Sequence, residues 1–295
     1  MTPPISLMEK IRDLLQAAAP IMTWPTLALI VLAVINLKNL PLAWHVRILH
    51  HIWWNLRRKP QDPHISGKPT GKATHPVFSP YTITSRTPML ETDYNFHKSN
   101  STYFSDLDIS RTGLVTRIYT PGISIVSKEL DDEALAASRK AGTQAPAPGS
   151  MYIALGSVYC GFKREIKPFE RYVVESRVIG WDRKWLYVLS FFLRPGGRTL
   201  FASAVSKYVV KKGRLTVLPE RVLRASGFLP GRDGDVVDGG DIPETVLEAE
   251  VRANVGLWDG REWTWERIEE ERLRGLKVVE GYVDIEDRLH AEWER

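Results

Sequence analysis

The sequence predicts an α+β fold in which an antiparallel β-sheet wraps around one central helix. The segments follow the order strand, helix and four closely spaced strands, and proline and glycine mark the turns between those strands. The 295 residues are 43% hydrophobic and 25% charged, a globular composition rather than that of a disordered chain or one with many membrane spans. An apolar segment precedes this domain and a charged segment follows it.

The N-terminal segment predicts a single-pass membrane anchor. No charged residue lies between Asp13 and Lys38, and residues 14–37 supply the about 20 mostly apolar residues that a spanning helix needs. No small-residue cleavage site follows, which favours a retained anchor over a signal peptide, and a buried core helix is the other alternative. More basic residues follow the span than precede it. The positive-inside rule therefore places the rest of the chain in the cytosol, at the endoplasmic reticulum or another internal membrane.

Residues 42–59 predict an interfacial helix that ends in a cluster of basic residues. Val46 and Leu49 share one helical face, and several tryptophans, which favour lipid headgroups, lie along the same segment. Residues 1–59 are thus interpreted as the membrane anchor and interfacial helix. Residues 60–76 are rich in proline, glycine, lysine and threonine and predict a linker.

Residues 77–224 form the predicted folded domain. A helix is expected over 100–118, with Ser99 or Asn100 available as its N-cap. Residues 128–150 are charged and then rich in alanine and proline, which predicts a surface insertion. The predicted strands are Tyr81–Thr92, Met151–Glu165, Phe169–Trp181, Trp185–Leu193 and Leu200–Val210.

Charge and cysteine content exclude several classes of function. Residues 225–295 predict a loop and a charged, solvent-exposed helical extension to which no chemistry is assigned. The net charge of +5 lies in the N-terminal attachment, since residues 1–80 carry +6 and residues 81–295 carry −1. A nucleic-acid partner is therefore not expected. The single cysteine, Cys160, excludes an internal disulfide and predicts a small buried side chain.

The candidate site is the segment that joins the first strand to the helix. The chain contains no G-x-S-x-G, P-loop, dinucleotide-binding or H-E-x-x-H motif, and no cofactor or metal is predicted. Asp93 places a carboxylate just before a helix N-terminus, where unpaired backbone N–H groups can hold an oxyanion. Such a carboxylate can act as nucleophile or as general base. Alternatively, Asp93 and His97 only tie down the loop.

The spacing Asp93-x-x-x-His97-x-x-Asn100-x-x-Tyr103 resembles the motif of hotdog-fold acyl thioesterases of the 4-hydroxybenzoyl-CoA thioesterase type. The resemblance covers about residues 78–224 and extends to membrane-anchored members and to fungal thioesterases encoded with peptide and polyketide biosynthetic enzymes. It implies a hotdog fold with a catalytic Asp93.

The same resemblance assigns supporting roles near the helix start. His97, Ser99, Asn100 and Tyr103 are expected to shape the loop and the oxyanion site. Some family members use a second catalytic group on the helix, for which the sequence offers Ser105, Asp106 and Asp108.

The expected activity is hydrolysis of acyl thioesters carried on coenzyme A or on an acyl carrier protein, in lipid or secondary-metabolite biosynthesis. The resemblance implies a site at the interface of a homodimer or higher homo-oligomer. One alternative is a non-catalytic, membrane-tethered hotdog module that binds acyl groups or acts as a scaffold. A second is a hotdog hydratase or dehydratase, although residues 93–97 lack that group's proline and bring the histidine one residue early.

Overall fold

The computed structural model describes residues 8, 23–57, 74–144, 147, 149–229 and 265–294. Most of the predicted linker, and the predicted loop after residue 229, lie outside the described residues.

Two helices precede the sheet. Helix α1 spans Trp24–Ile35, and Thr23 caps its N-terminus by accepting a hydrogen bond from the Thr26 N–H. Helix α2 spans Ala43–Arg57, as the sequence predicts. Among the described residues no helix is both long and apolar enough to cross a membrane. The predicted anchor over 14–37 is therefore not confirmed, and its first half lies outside the described residues.

The predicted strands form one antiparallel sheet with the order β1-β3-β4-β5-β2, and a short β6 pairs with β5. The strands are β1 (Tyr81–Arg86), β2 (Met151–Phe162), β3 (Arg171–Trp181), β4 (Leu186–Leu193), β5 (Leu200–Lys212) and β6 (Leu215–Val217). The α+β prediction is confirmed. The last residues of the predicted first strand form a turn instead, and β6 was missed because it has three residues.

Helix α3 spans Tyr103–Ala141 and is more than twice as long as predicted. The Pro121-Gly122 pair suggests a helix end, because proline removes a backbone donor. The helix nevertheless continues, and the Gly122 N–H donates to Ser226 Oγ at 3.0 Å. The prediction of a surface insertion over 128–150 is thus wrong for residues 128–141, which are helical up to a left-handed cap at Gly142.

The second half of α3 is held by ion pairs rather than left in solvent. Helix α4, Pro219–Ala225, crosses α3, and its Arg221 pairs with Glu129 and Glu133. From β5, Lys212 pairs with Asp131 at 2.8 Å. These contacts explain why a charged segment that lacks an apolar face remains part of the folded domain.

The inner face of the sheet packs against α3 through two apolar clusters separated by polar groups. One cluster includes Leu114, Ile118 and Trp181, and the other includes Leu107 and Phe192, all 0–1% exposed. Between them runs a chain of buried serine hydroxyls, with Ser176 Oγ 2.7 Å from both Ser110 Oγ and Ser190 Oγ.

The C-terminal helix α5, Trp265–Trp293, packs on the outer face of the same sheet. Ile268 and Val279 are 0% and 1% exposed, so the predicted charged extension is present as a helix, but one side of it is buried rather than exposed to solvent. Charged residues recur along the whole helix, so the sequence does not reveal which face packs against the sheet. The small residue Gly275 lets this face approach β3 closely. A Cβ at Gly275 would lie 1.6 Å from the Ile179 carbonyl oxygen.

Helix α2 docks on α3 with its polar side. The buried Asn55 donates to the Gly113 carbonyl oxygen at 2.9 Å, and His51 Nδ1 lies 2.6 Å from the Tyr81 hydroxyl. The predicted apolar face points outward instead, since Val46 and Leu49 are 65% and 61% exposed. The amphipathic helix is therefore confirmed, with its apolar side uncovered by the described part of the chain.

Replacement of Gly275 by alanine is expected to weaken the contact between α5 and the sheet. The added methyl group overlaps the Ile179 carbonyl, and overpacking of this kind costs about 1–3 kcal/mol. Thermal unfolding of the full chain measures this loss. Gly281→Ala, on the same helix with nothing within 4 Å of its added Cβ, is the control and should leave stability unchanged or raised. Equal destabilisation by both variants would contradict the close approach.

Candidate functional site

A tight turn between β1 and α3 presents Asp93. The Asp93 N–H donates to the His97 carbonyl oxygen at 3.0 Å, and the Asn95 N–H donates to Asp93 Oδ1 at 2.9 Å. Thr92 and Lys98 pair as an antiparallel bridge at the base of the turn. One carboxylate oxygen of Asp93 is therefore held by the turn itself, which fixes the side chain against the backbone.

The second carboxylate oxygen of Asp93 faces His97. Asp93 Oδ2 lies 3.5 Å from His97 Nδ1, and the two side chains are 22% and 20% exposed. Phe96, at the tip of the turn, is 72% exposed and has a φ of 58°, in the left-handed region that bulky residues rarely adopt. The turn thus holds a partly exposed carboxylate beside an imidazole, accessible to a ligand.

The helix start lies directly after this turn. A 3-10 turn over Asn100–Thr102 leads into α3, and the Ser99 N–H donates to the Glu91 carbonyl oxygen at 2.7 Å. The predicted cap by Ser99 or Asn100 is not observed: Ser99 precedes the 3-10 turn without a side-chain cap bond, Asn100 lies within that turn, and the residue before α3 is Thr102, which also makes no side-chain cap bond. The first N–H groups of a helix have no intrahelical acceptor, so this start can donate to an anionic oxygen.

Tyr103 lies in the core beneath the turn. It is 2% exposed, and its ring packs against those of Phe162 and Phe192 at centroid distances of 5.0 and 4.8 Å. Burial raises the pKa of the Tyr103 phenol well above its ordinary value, and the charges of Cys160 and Asp93 raise it further. Lys98 Nζ, at the base of the turn, lies 5.3 Å from the centroid of the Tyr103 ring, so the ring packs beneath the turn.

A buried ion network lies under the turn, and sequence reasoning missed it. Glu91 and Lys98, which flank the turn, are 2% and 1% exposed, and Lys98 Nζ lies 2.5 Å from Glu91 Oε2. Asp106 on α3 is 0% exposed and lies 3.2 Å from Lys98 Nζ. The Tyr172 hydroxyl donates to Asp106 Oδ2 at 2.5 Å.

Residues of the N-terminal region, Lys38 between the two helices and Arg47 on α2, complete this network. Lys38 Nζ lies 2.8 Å from Glu91 Oε2 and 2.7 Å from Asp106 Oδ2, and Arg47 pairs with Asp106 Oδ1 at 3.2 Å. Burial alone raises the pKa of Asp106, but the Lys38 and Lys98 ammonium groups lower it well below its usual range. Asp106 is therefore a structural anion and not the second catalytic group that its place on the helix suggested.

Asp108 and Arg111 lie on another side of α3, towards β5. Arg111 is 1% exposed; it donates to Asp108 Oδ1 and to Ser206 Oγ, both at 2.6 Å. Cys160, on the inner side of β2, packs with the apolar cluster around Leu107. Burial raises the pKa of the Cys160 thiol to about 11, so the thiol stays protonated at neutral pH and is a poor nucleophile.

A cavity of about 660 Å³ lies elsewhere, between β3 and α5. Its lining includes Phe78, Arg177, Glu271 and Arg274, and none of the residues of the Asp93 turn. This cavity is therefore separate from the candidate site.

The structure brings the five predicted site residues together at one place. Asp93 and His97 form the turn, Ser99 and Asn100 begin the helix, and Tyr103 supports them from the core. The signal for the missed network was present in Glu91 and Lys98, charged residues at both ends of the candidate loop.

Residues 87–226 match a family described as the thioesterase-like superfamily. The chain is 38% identical over 287 residues to the thioesterase lcsJ of Purpureocillium lilacinum, covering 90% of this chain and 92% of that protein. It is 32% identical over 293 residues to the thioesterase poxG of Penicillium oxalicum, covering 92% and 87%. A solved structure, the probable thioesterase YbaW of Escherichia coli, matches 50% of this chain and 95% of its own at 13% identity and a TM-score of 0.35. The chain therefore belongs to the thioesterase-like superfamily and is a thioesterase.

Proposed function

We propose that the enzyme hydrolyses acyl thioesters carried on coenzyme A or on an acyl carrier protein, with Asp93 as the catalytic carboxylate. The observation that carries this proposal is the turn that fixes the Asp93 carboxylate and leads, through the Ser99 N–H bond to the Glu91 carbonyl oxygen, directly into the start of α3. Hydrolysis of a thioester needs a nucleophile or a base on one side of the carbonyl and hydrogen-bond donors for the oxyanion on the other.

The roles of the site residues follow from this arrangement. Asp93 either attacks the thioester carbonyl or takes a proton from the attacking water. The N–H groups at Asn100 and Ser101 stabilise the developing oxyanion, because they open the helix and the helix dipole favours negative charge there. His97, at 3.5 Å, orients the Asp93 carboxylate.

The acyl group is proposed to run along α3 towards β2, where a second copy of the chain completes the site. Strand β2 is an edge of the sheet and has 12 residues, with no further strand beside it in the described part of the chain. Tyr152, Leu155 and Tyr159 on this strand are 48%, 43% and 58% exposed. Long exposed edge strands with apolar side chains are sites of strand pairing between chains, and a two-fold pairing closes the edge.

A biosynthetic role in fungal secondary metabolism or lipid metabolism is part of the same proposal. It rests on the full-length similarity to named fungal thioesterases. We further propose that the N-terminal helices hold the enzyme at an internal membrane with its domain facing the cytosol. Helix α2 turns its apolar side outward, and Leu29 and Val31 on α1 are 65% and 51% exposed.

Asp93→Asn is expected to lower kcat for acyl-CoA or acyl-pantetheine thioesters by about 100- to 10,000-fold, the range that a positioned acid or base contributes. Thiol release is measured with the full chain, because the segment between the two N-terminal helices supplies Lys38 to the network under the turn. Asp182→Asn is the control. Asp182 also accepts backbone N–H bonds in a turn, two of them, but it lies outside the Asp93 turn, and its variant should keep wild-type turnover.

A folded wild-type chain that releases no thiol from any of these thioesters would contradict hydrolysis and favour the acyl-binding or scaffolding alternative. Release of thiol by Asp93→Asn at the wild-type rate would remove Asp93 from the mechanism.

The full chain is expected to sediment as a dimer or a larger homo-oligomer in detergent. The dimer has twice the 33.5 kDa chain mass. Sedimentation equilibrium with density matching of the detergent measures this mass. A monomer at micromolar concentration would contradict the pairing through β2.

The full chain is expected to float with vesicles of phosphatidylcholine and phosphatidylserine in a density gradient. Val46→Glu combined with Leu49→Glu should weaken this association by about 10-fold or more, because each buried aliphatic side chain contributes about 1.5–3 kcal/mol. Leu289→Glu, a 65% exposed leucine on α5, is the control and should float as the wild type does. Equal flotation of all three proteins would contradict docking through α2.

A further inference from the structure

The turn that carries Asp93 is clamped at its base by charge. Glu91 ends the segment before the turn and Lys98 begins the segment after it, and their side chains form a buried ion pair. The clamp keeps the turn closed, but by itself it does not determine how far the turn lies from α3. That distance matters, because the carboxylate and the oxyanion donors belong to two different elements.

Two lysines join the clamp to the first turn of α3. Lys38 and Lys98 each contact both Glu91 Oε2 and Asp106 Oδ2, so two carboxylates and two ammonium groups alternate around a ring. Lys38 Nζ also lies 3.0 Å from the Tyr172 hydroxyl, and its side chain is 13% exposed. Burial lowers the pKa of Lys38, while the Asp106 and Glu91 carboxylates act against this shift.

Removal of Lys38 leaves Glu91 with Lys98 as its ammonium partner, while Lys98 also contacts Asp106, which keeps Arg47 as a second cation. Glu91 and Asp106 then compete for Lys98, and like charges that share one partner in a buried setting repel each other. Asp106 cannot move, because Tyr172, Ser85 and Arg47 also hold it within the fold. Glu91 lies in the connecting segment and moves more readily, and the Asp93 turn moves with it.

We propose that Lys38, from the segment between the two N-terminal helices, is a positioning residue for thioester hydrolysis: it fixes the distance between the Asp93 turn and the oxyanion donors of α3. This inference rests on the proposed function of the same site. It makes the N-terminal region part of the catalytic apparatus, in addition to any role at a membrane.

The test compares Lys38→Met with Asn55→Ala in the full chain. Both variants remove a contact between the N-terminal region and the folded domain, but Asn55 reaches only the middle of α3, through Gly113 and Thr116. Lys38→Met is expected to lower kcat by about 100-fold with KM changed less than about 3-fold, since a displacement of about 1 Å costs this much. Asn55→Ala should keep kcat within about 3-fold of the wild type at a comparable loss of thermal stability.

Lys38→Gln is prepared in parallel, because Lys38→Met removes a buried charge and its folding must be checked by circular dichroism. The glutamine keeps a hydrogen-bond donor without the charge, and the same fall in kcat is expected. Wild-type kcat in either folded variant would overturn the proposal. An equal fall in kcat in Asn55→Ala would also overturn it, because loss of docking alone would then explain the effect.

Hydrogen exchange separates this inference from the proposed function. The Asp93 and Ser99 N–H groups are hydrogen-bonded in the clamp, to the carbonyl oxygens of His97 and Glu91. Lys38→Met should speed their exchange by about 10-fold or more, and Asn55→Ala should not. If no thioester is hydrolysed by the wild type, the proposed function fails, while unchanged exchange in Lys38→Met would overturn the positioning by itself.

Discussion

The arrangement of the site depends on one buried ion network, formed by Glu91, Lys98 and Asp106 together with Lys38. Buried charges are costly unless each has a partner, and here every carboxylate has at least two. The network joins three parts of the chain that are distant in sequence. Because a partner removed from such a network leaves an unpaired charge, the turn, α3 and the N-terminal region are held in one mutual arrangement.

The network also explains how a partly exposed carboxylate can be held with little support of its own. Among the described residues, the close polar partners of the Asp93 side chain are the Asn95 N–H and the His97 ring. The turn that carries Asp93 is instead held rigid by the residues beneath it, the Glu91–Lys98 ion pair and the packed Tyr103 ring. The backbone of the turn is thereby fixed while the Asp93 side chain stays 22% exposed, which is the preorganisation that acyl transfer requires.

The elements that depend on local pattern could be predicted from the sequence. Alternating apolar residues and turn residues place the strands from Met151 to Leu193 within a few residues of their observed bounds. The spacing from Asp93 to Tyr103 places the site at the start of the helix. What could not be predicted depends on distant partners: the continuation of α3 past Pro121 needs Ser226, and the packing of α5 needs a glycine opposite Ile179.

The partners of the charged residues could not be predicted from the local sequence either. Lys38 follows an apolar run and fits a flank of a membrane segment, so nothing local indicates that it reaches Glu91, 53 residues later. The sequence likewise did not indicate which face of α2 packs against the folded domain. Its periodicity predicts an amphipathic helix correctly, but which face meets the protein is decided by partners such as the Gly113 carbonyl oxygen and Tyr81. A fragment that begins after the predicted linker would lack these contacts.

The most direct test of the account is a crystal structure of the full chain with an acyl-CoA analogue in which a methylene group replaces the thioester sulfur. The ketone cannot be hydrolysed, and its oxygen marks the position of the oxyanion. The account predicts this oxygen at about 3 Å from the first N–H groups of α3, with the Asp93 carboxylate beside the ketone carbon. An analogue bound instead in the cavity between β3 and α5, with the Asp93 turn unoccupied, would contradict it.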